Sequence, residues 1–392
     1  MRHTQTYRAF ILVLQRELRR LVSRPLYLFC MVIAPLSCLF FFTSLMNTGL
    51  PTNLPVGVVD LDQTAKSRSF IQNLDALPQT EVVKVYTNII EARKDVQRGK
   101  LYGFYLVPKS FSKDAQAQKQ PTLSFYINNS YLIAGSLLFK DMKKMGELAA
   151  GSAMRTVLYA KGATEKEAMG FLQPIVIDTH PLNNPTMNYS VYLSNTLVPG
   201  IMMLMILITT VFAIGVEIKE RTARMWLRIG KQSIHISILG KLLPQTFIYL
   251  LVGVFYNFYF YVYLGFPCIN GIPIMLFNTL LLILASQALG VAMIGTFPSL
   301  RLGLSFASLW GVLSVSMSGF TFPVMGMHPV LQSTSYLFPL RHYFLIYVDQ
   351  ALNGFPLSSS YVSIIALFVF MLLPFLIFKR LKRALQYEPY IP

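Results

Sequence analysis

Six long apolar stretches constrain this 392-residue chain more than any other feature. They cover residues 26–46, 196–216, 242–265, 273–297, 302–324 and 361–378, and none contains Asp, Glu, Lys or Arg. About 20 apolar residues at a rise of 1.5 Å cross the hydrocarbon core of a bilayer. The expected fold class is therefore a polytopic α-helical membrane protein with six transmembrane helices. A polar insert, residues 47–195, separates the first stretch from the other five. It is long enough to bury a core of its own, so it reads as a folded domain on one side of the membrane.

The chain carries a net charge of +17 although 54% of it is hydrophobic. On a soluble protein that excess would point to nucleic acid, but here its placement excludes that reading. The arm 1–25 holds Arg2, Arg8, Arg16, Arg19, Arg20 and Arg24 against Glu17 alone. The connection 217–241 holds Lys219, Arg221, Arg224, Arg228, Lys231 and Lys241 against Glu217 and Glu220. Arg301 follows the fourth stretch, and the tail 379–392 carries Lys379, Arg380, Lys382 and Arg383 against Glu388. The alternate connections, 266–272 and 325–360, offer only Arg341. Lys and Arg collect in short cytoplasmic loops, whereas long inserted domains do not count. Both termini are expected in the cytoplasm of a bacterial cell. The insert then faces outward as an extracytoplasmic α/β domain, and the chain is a multi-pass protein of the inner membrane.

Cys30, Cys38 and Cys268 all lie outside the insert, which must fold without disulfides. The first stretch follows a basic region but lacks a clean small-x-small cleavage site, as in an uncleaved signal anchor. Before it, Phe10, Ile11, Leu14, Leu18 and Leu21 recur every three to four residues among arginines. That is the pattern of an interfacial amphipathic helix over 7–22. Pro25 marks the turn into the bilayer, and Pro35 is expected to kink the first span.

Within the insert, 56–60, 82–86, 102–107, 123–127 and 175–178 read as strands, and 64–74 and 89–98 as helices between them. Thr64 and Ser110 are candidate N-caps. The run 131–161 is helix-forming, as one helix or two. Alternation of this kind favours a small sheet flanked by helices. In the last outer connection, 330–337 and 342–351 are too short and polar to cross. They suit re-entrant helices covered by protein.

Catalytic signatures are missing. No Gly-x-x-x-x-Gly-Lys-Ser/Thr loop cradles phosphates. No His-Glu-x-x-His or zinc-spaced Cys pair occurs, nor a Gly-x-Ser-x-Gly elbow. No charge lies mid-span, where an ion-coupled carrier places one. An outside energy source fits better. Asp60 and Asp62 end a strand, where such acids more often cap a helix than hold a cation. The aromatic run 255–263 reads as an interface belt; Asn257 within it is the one polar candidate for a pathway. Gly290, Gly295 and Gly303 suit close helix packing.

The connection 217–241 is the sharpest signal. Glu217 and Glu220 share one helical face at i, i+3. Beyond Gly230, Ile234, Ile238 and Leu239 give a short apolar face leading into the third span. The plainer reading is a basic loop holding lipid headgroups. Together with the interfacial helix and the insert, the order of motifs resembles a known family. Glu217-Ile218-Lys219-Glu220-Arg221-Thr222 is followed by Ile238-Leu239-Gly240-Lys241. Ser318-Gly319-Phe320-Thr321-Phe322-Pro323 closes the fifth stretch, and Ser335-Tyr336-Leu337-Phe338-Pro339-Leu340-Arg341-His342-Tyr343 precedes the sixth. The whole chain is similar to the permease subunit of type-2 ABC transporters, in the branch with a large outer domain after the first span.

The resemblance implies a non-catalytic subunit of an ATP-driven exporter, paired with a second copy or a related permease. Separate ATP-binding subunits would bind ATP and magnesium, and this chain would carry no cofactor; a periplasmic adaptor is a further expected partner. The segment 232–239 would be the coupling helix, with Glu217, Glu220, Arg221, Ile234, Ile238 and Leu239 carrying the contact. Outer helices near 323–343 would help close the exit, with Phe320, Pro323 and Arg341 at the gate. For Arg341, interface anchoring is the plainer role. A receptor or envelope-assembly protein would have little use for such a cytoplasmic segment, and an intramembrane enzyme would need paired catalytic groups.

Overall fold

The computed structural model describes residues 2–117 and 119–387, so the last residues of the basic tail, 388–392, lie outside the described residues. Two compact units form: Thr48–His180, and a membrane unit of Met1–Asn47 with Pro181–Pro392.

The chain opens with α1, Arg2–Ser23. Its inward stripe is Ala9, Val13, Glu17 and Leu21, one residue per turn at i, i+4. The apolar residues Phe10, Ile11 and Leu14 are half-buried and Leu18 is exposed, while a carboxylate, Glu17, takes a central place on the buried side. Helix α2, Pro25–Leu45, starts with Pro25 at its first turn, where a missing N–H costs nothing. Ahead of Pro35 the turn Phe29–Ile33 widens so that the Ala34 N–H reaches the Phe29 carbonyl five residues back. Such a widened turn rearranges the bonds that a proline interrupts.

The insert folds as a four-stranded sheet in the order β2-β1-β3-β4. Strand β1, Leu54–Asp60, lies parallel to β2, Thr80–Tyr86, and to β3, Gly103–Val107; β4, Ser124–Ile127, runs antiparallel to β3. Helices α3, Ala65–Asp75, and α4, Ile89–Gln97, make the crossovers that parallel neighbours require. The short α5, Phe111–Gln116, precedes β4. A single helix, α6, Leu132–Ala160, occupies the long helix-forming run. It packs Leu138, Met142 and Met145 with Phe70, Leu74 and Tyr105 in one core cluster. Helix α7, Glu165–Leu172, is capped reciprocally by Thr164 and Glu167.

Two expectations fail here. Residues 175–178 are no strand, and Ile175, Val176 and Ile177 are all exposed; β-branched residues read as strand, but no sheet edge is there to pair with them. Ser110 stands at the N-cap of α5 with φ +63° and makes no side-chain cap. Thr64, by contrast, caps α3 with Ser67 as its partner.

Asp60 and Asp62 bind the β1–α3 turn rather than each other. Asp60 accepts from the backbone of Asp62 and Gln63, both at 3.0 Å, and from Ser67 Oγ at 2.7 Å. Asp62 accepts from Thr64 Oγ1 at 2.7 Å and from the hydroxyl and N–H of Ser112. Burial pushes the Asp62 carboxyl up, but the Ser112 and Thr64 donors outweigh it and hold the group below its ordinary value. A depressed carboxylate stabilises the fold above its unfolded pKa of about 3.9, and that contribution is lost as pH falls through the lower folded value. Asp62→Asn is expected to flatten the acid limb of the unfolding profile of the full chain below about pH 4, read by intrinsic fluorescence. An unchanged acid limb would remove Asp62 from that role.

The compact insert closes at His180, and the second span begins well before residue 196. Helix α8, Tyr189–Lys219, is capped by Asn188, whose side chain accepts from the Ser190 N–H at 2.8 Å. The polar turn up to Asn195 faces inward, with Ser194 and Asn195 buried. A short α9, Ala223–Ile229, follows, then α10, Ile234–Tyr263, α11, Ile272–Thr296, and α12, Leu300–Met317. The short helices α13, Pro329–Ser335, and α14, Pro339–Tyr347, lead to α15, Leu357–Tyr387. Among the described residues, six helices are long and apolar enough to cross a membrane. Of the three glycines singled out in the sequence, Gly295 shows the tightest approach. A Cβ there would lie 2.3 Å from Ile377 Cγ2, so α11 and α15 touch where only a hydrogen fits.

Candidate functional site

The last turn of α8 carries Glu217, whose side chain is wholly buried. Its carboxylate accepts from Arg16 at 2.7 and 2.9 Å, from Lys241 Nζ at 2.9 Å, and from Arg20 and the Thr222 hydroxyl. Lys241 Nζ is also buried and donates to Glu17 at 2.7 Å. It sits 4.6 Å from the centroid of the Trp226 ring, a desolvated cation–π contact. At the rim, Glu220 accepts from Arg24 at 2.6 and 2.9 Å and from Arg20 at 3.3 Å. The cluster pairs four cations, Arg16, Arg20, Arg24 and Lys241, with three carboxylates, Glu17, Glu217 and Glu220. It ties α1 to the end of α8, to α9 through Trp226, and to α10.

The local backbone explains how these segments meet. Arg221 has φ +59°, which ends α8, and the Thr222 N–H closes the turn on the Glu217 carbonyl at 3.0 Å. Helix α9 turns Ala223, Trp226 and Leu227 inward and leaves Arg224, Met225 and Arg228 exposed. Lys231 and Gln232 then take φ +56° and +61°. Two successive left-handed residues without glycine are costly, and the reversal they make delivers the chain into α10. Gly240 allows α1 to close on that helix, because a Cβ there would lie 2.8 Å from Val13 Cγ1.

The structure rearranges the expected coupling segment. Residues 232–239 form no separate helix; α10 runs unbroken from Ile234. Ile234 and Ile238 are buried in the chain's own core, and Leu239 is exposed. Their periodicity belongs to the first turns of a span. The separate short helix is α9, which ends five residues before Ile234. Arg221 is exposed in the turn before it.

The pathway and gate candidates differ in burial. Asn257 is fully buried, donating to the Gly253 carbonyl at 2.7 Å and to Thr279 Oγ1 at 3.0 Å. It fastens α10 to α11 inside the bundle. Phe320 is buried, its ring against Tyr192 and Phe344 and its carbonyl accepting from the Tyr192 hydroxyl. Pro323 is exposed. Arg341 is largely buried, with its guanidinium 5.0 Å from the Tyr336 ring centroid and Nε unpartnered.

The family model described as ABC-2 family transporter protein matches residues 25–378. The chain belongs to the ABC-2 transporter family. No curated protein matches it. As an ABC-2 permease it is a multi-pass membrane transport subunit that works with an ATP-binding partner. The site at the base of α8 therefore lies in a transport protein, and what the sequence reading missed there is α9 and the buried partners Glu17 and Lys241. Glu17 left a signal, as the one acid among six arginines in the N-terminal arm.

Proposed function

We propose that this permease is the membrane half of an ATP-driven exporter in a bacterial inner membrane, with both termini cytoplasmic and Thr48–His180 outside. Two permeases, identical or related, form the pathway between them. Each is driven by a separate subunit that binds ATP and magnesium, and a periplasmic adaptor is a natural partner for the outer unit. Export is preferred because the outer domain is built into this chain.

The observation that carries the reading is the buried Glu17–Lys241–Glu217 cluster with α9 beside it. A push on the exposed side of α9 reaches α1, α8 and α10 together, because no member of the cluster can leave without exposing an unpaired charge. Arg224, Met225 and Arg228 form that exposed side. Met225→Asp combined with Arg228→Glu is expected to lower copurification of the ATPase at least tenfold and to abolish transport. The permease should keep its gel-filtration profile, since neither side chain is buried. Normal copurification and transport would refute the assignment of α9. Topology has its own check. A cysteine at Ser359 is expected to react with an impermeant thiol reagent in intact cells, and one at Gln232 only after the membrane is opened; the reverse pattern would invert the proposed orientation.

A further inference from the structure

The end of the membrane unit away from Glu217 holds a buried cation of a different kind. Tyr192 and Glu217 stand near the two ends of α8, and the Tyr192 hydroxyl donates to the Phe320 carbonyl in the turn that closes α12. Against that turn lies Arg341, in the first turn of α14 and only 9% exposed. At the Glu217 end, Arg16, Arg20 and Lys241 each meet a carboxylate. Arg341 has no ion pair and no side-chain hydrogen bond among the described residues. Its guanidinium sits 5.0 Å from the centroid of the Tyr336 ring. Nε is enclosed without an acceptor, but the terminal nitrogens are not sealed off. An unpaired cation held out of water is costly, and a planar fork of N–H donors fits an oxyanion.

The neighbouring turn offers donors to the same ligand. Ser318 ends α12 in right-handed helical geometry, φ −65° and ψ −28°, and Gly319 then takes φ +100°. A right-handed residue followed by a left-handed one gathers successive N–H groups into a concave anion site. Here the N–H groups of Ser318, Gly319 and Phe320 find no acceptor among the described residues. Arg341 Nη1 would lie 3.5 Å from a Cβ placed on Gly319, so the guanidinium and the turn border one space. A side chain at Gly319 is disfavoured twice: by the left-handed φ, and because its Cβ would come 3.0 Å from Val324 Cγ2. A fixed cation beside three unused N–H groups suits phosphate, which brings more acceptor oxygens than a carboxylate.

We infer that Arg341 and the Ser318–Phe320 turn bind a phosphate group. A lipid headgroup and a soluble phosphate present the same chemistry to these donors. The assignment goes beyond the transport reading and does not depend on direction or on the ATPase contact.

Thermal unfolding of the purified full chain in a neutral detergent, followed by intrinsic fluorescence, tests it. The probes are inorganic phosphate, dioctanoyl phosphatidic acid, dioctanoylglycerol and octanoate, at an ionic strength held constant with sodium chloride. A phosphate probe is expected to raise the midpoint saturably, and dioctanoylglycerol and octanoate are not. A shift with inorganic phosphate shows that the free anion suffices; a shift with phosphatidic acid alone assigns the site to lipid headgroups. Arg341→Lys keeps the charge but loses the fork, and should weaken binding of the active probe at least tenfold. Arg341→Gln should abolish the shift. No shift with either phosphate probe would overturn the site. So would an equal shift from octanoate or dioctanoylglycerol, or unchanged binding by the two variants. The wild-type comparison among probes stands even if both variants fail to fold.

Discussion

Glu217→Ala is expected to destabilise the membrane unit by about 3–5 kcal/mol, the usual cost of removing one partner from a buried ion cluster. The carboxylate accepts from Arg16, Arg20, Lys241 and Thr222, and its loss leaves Lys241 buried with Glu17 alone. Replacing Glu220 the same way should cost about 0–1 kcal/mol, because that group is partly solvated at the rim. Thermal unfolding of the purified chain in detergent orders the two variants. Adding Lys241→Met to Glu217→Ala is expected to recover part of the loss, since it removes a buried cation left short of carboxylate. Equal effects of the Glu217 and Glu220 changes, or further damage from the added Lys241→Met, would show that the cluster is not the structural centre of this end.

Ile238→Asp is expected to deplete folded permease from the membrane rather than merely release a partner. Ile238 is 4% exposed within the main apolar core, and an unpaired carboxylate there costs several kcal/mol, about the whole margin of a marginal fold. Met225→Asp changes an exposed position one short helix earlier and should leave the amount of folded protein intact. Quantifying both variants by fluorescence-detected gel filtration separates the two positions. A monodisperse Ile238→Asp protein at normal abundance would restore a docking role for the start of α10.

Composition alone made the membrane spans legible, because a long run without charge has few other uses. The short runs at 56–60, 82–86 and 123–127, rich in β-branched and aromatic residues, likewise announced strands. Residues 175–178 carried the same local pattern and failed for want of a partner strand. The misreading at 234–239 has another cause. Apolar spacing identifies a helical face but not what covers it, and Ile234 and Ile238 face the protein's own bundle. The charge cluster was invisible for a geometric reason: Arg16 and Glu217 are 201 residues apart, and nothing in either neighbourhood names the other. The left-handed turns at Arg221, Lys231 and Gln232, which isolate α9, involve residues without the usual glycine signature.

The position of Glu17 on the inward stripe of α1 also sets an order of events during synthesis. The side chain is made early, yet its partner Lys241 follows 224 residues later. At bacterial and eukaryotic elongation rates of about 5–20 residues per second, that interval is on the order of 10–40 s. Throughout it α1 must wait with its acid hydrated, while the insert and the second span are made. Only when the third span arrives can α1 rotate into place. Helix α1 thus docks fully only after a span made 224 residues later is in place.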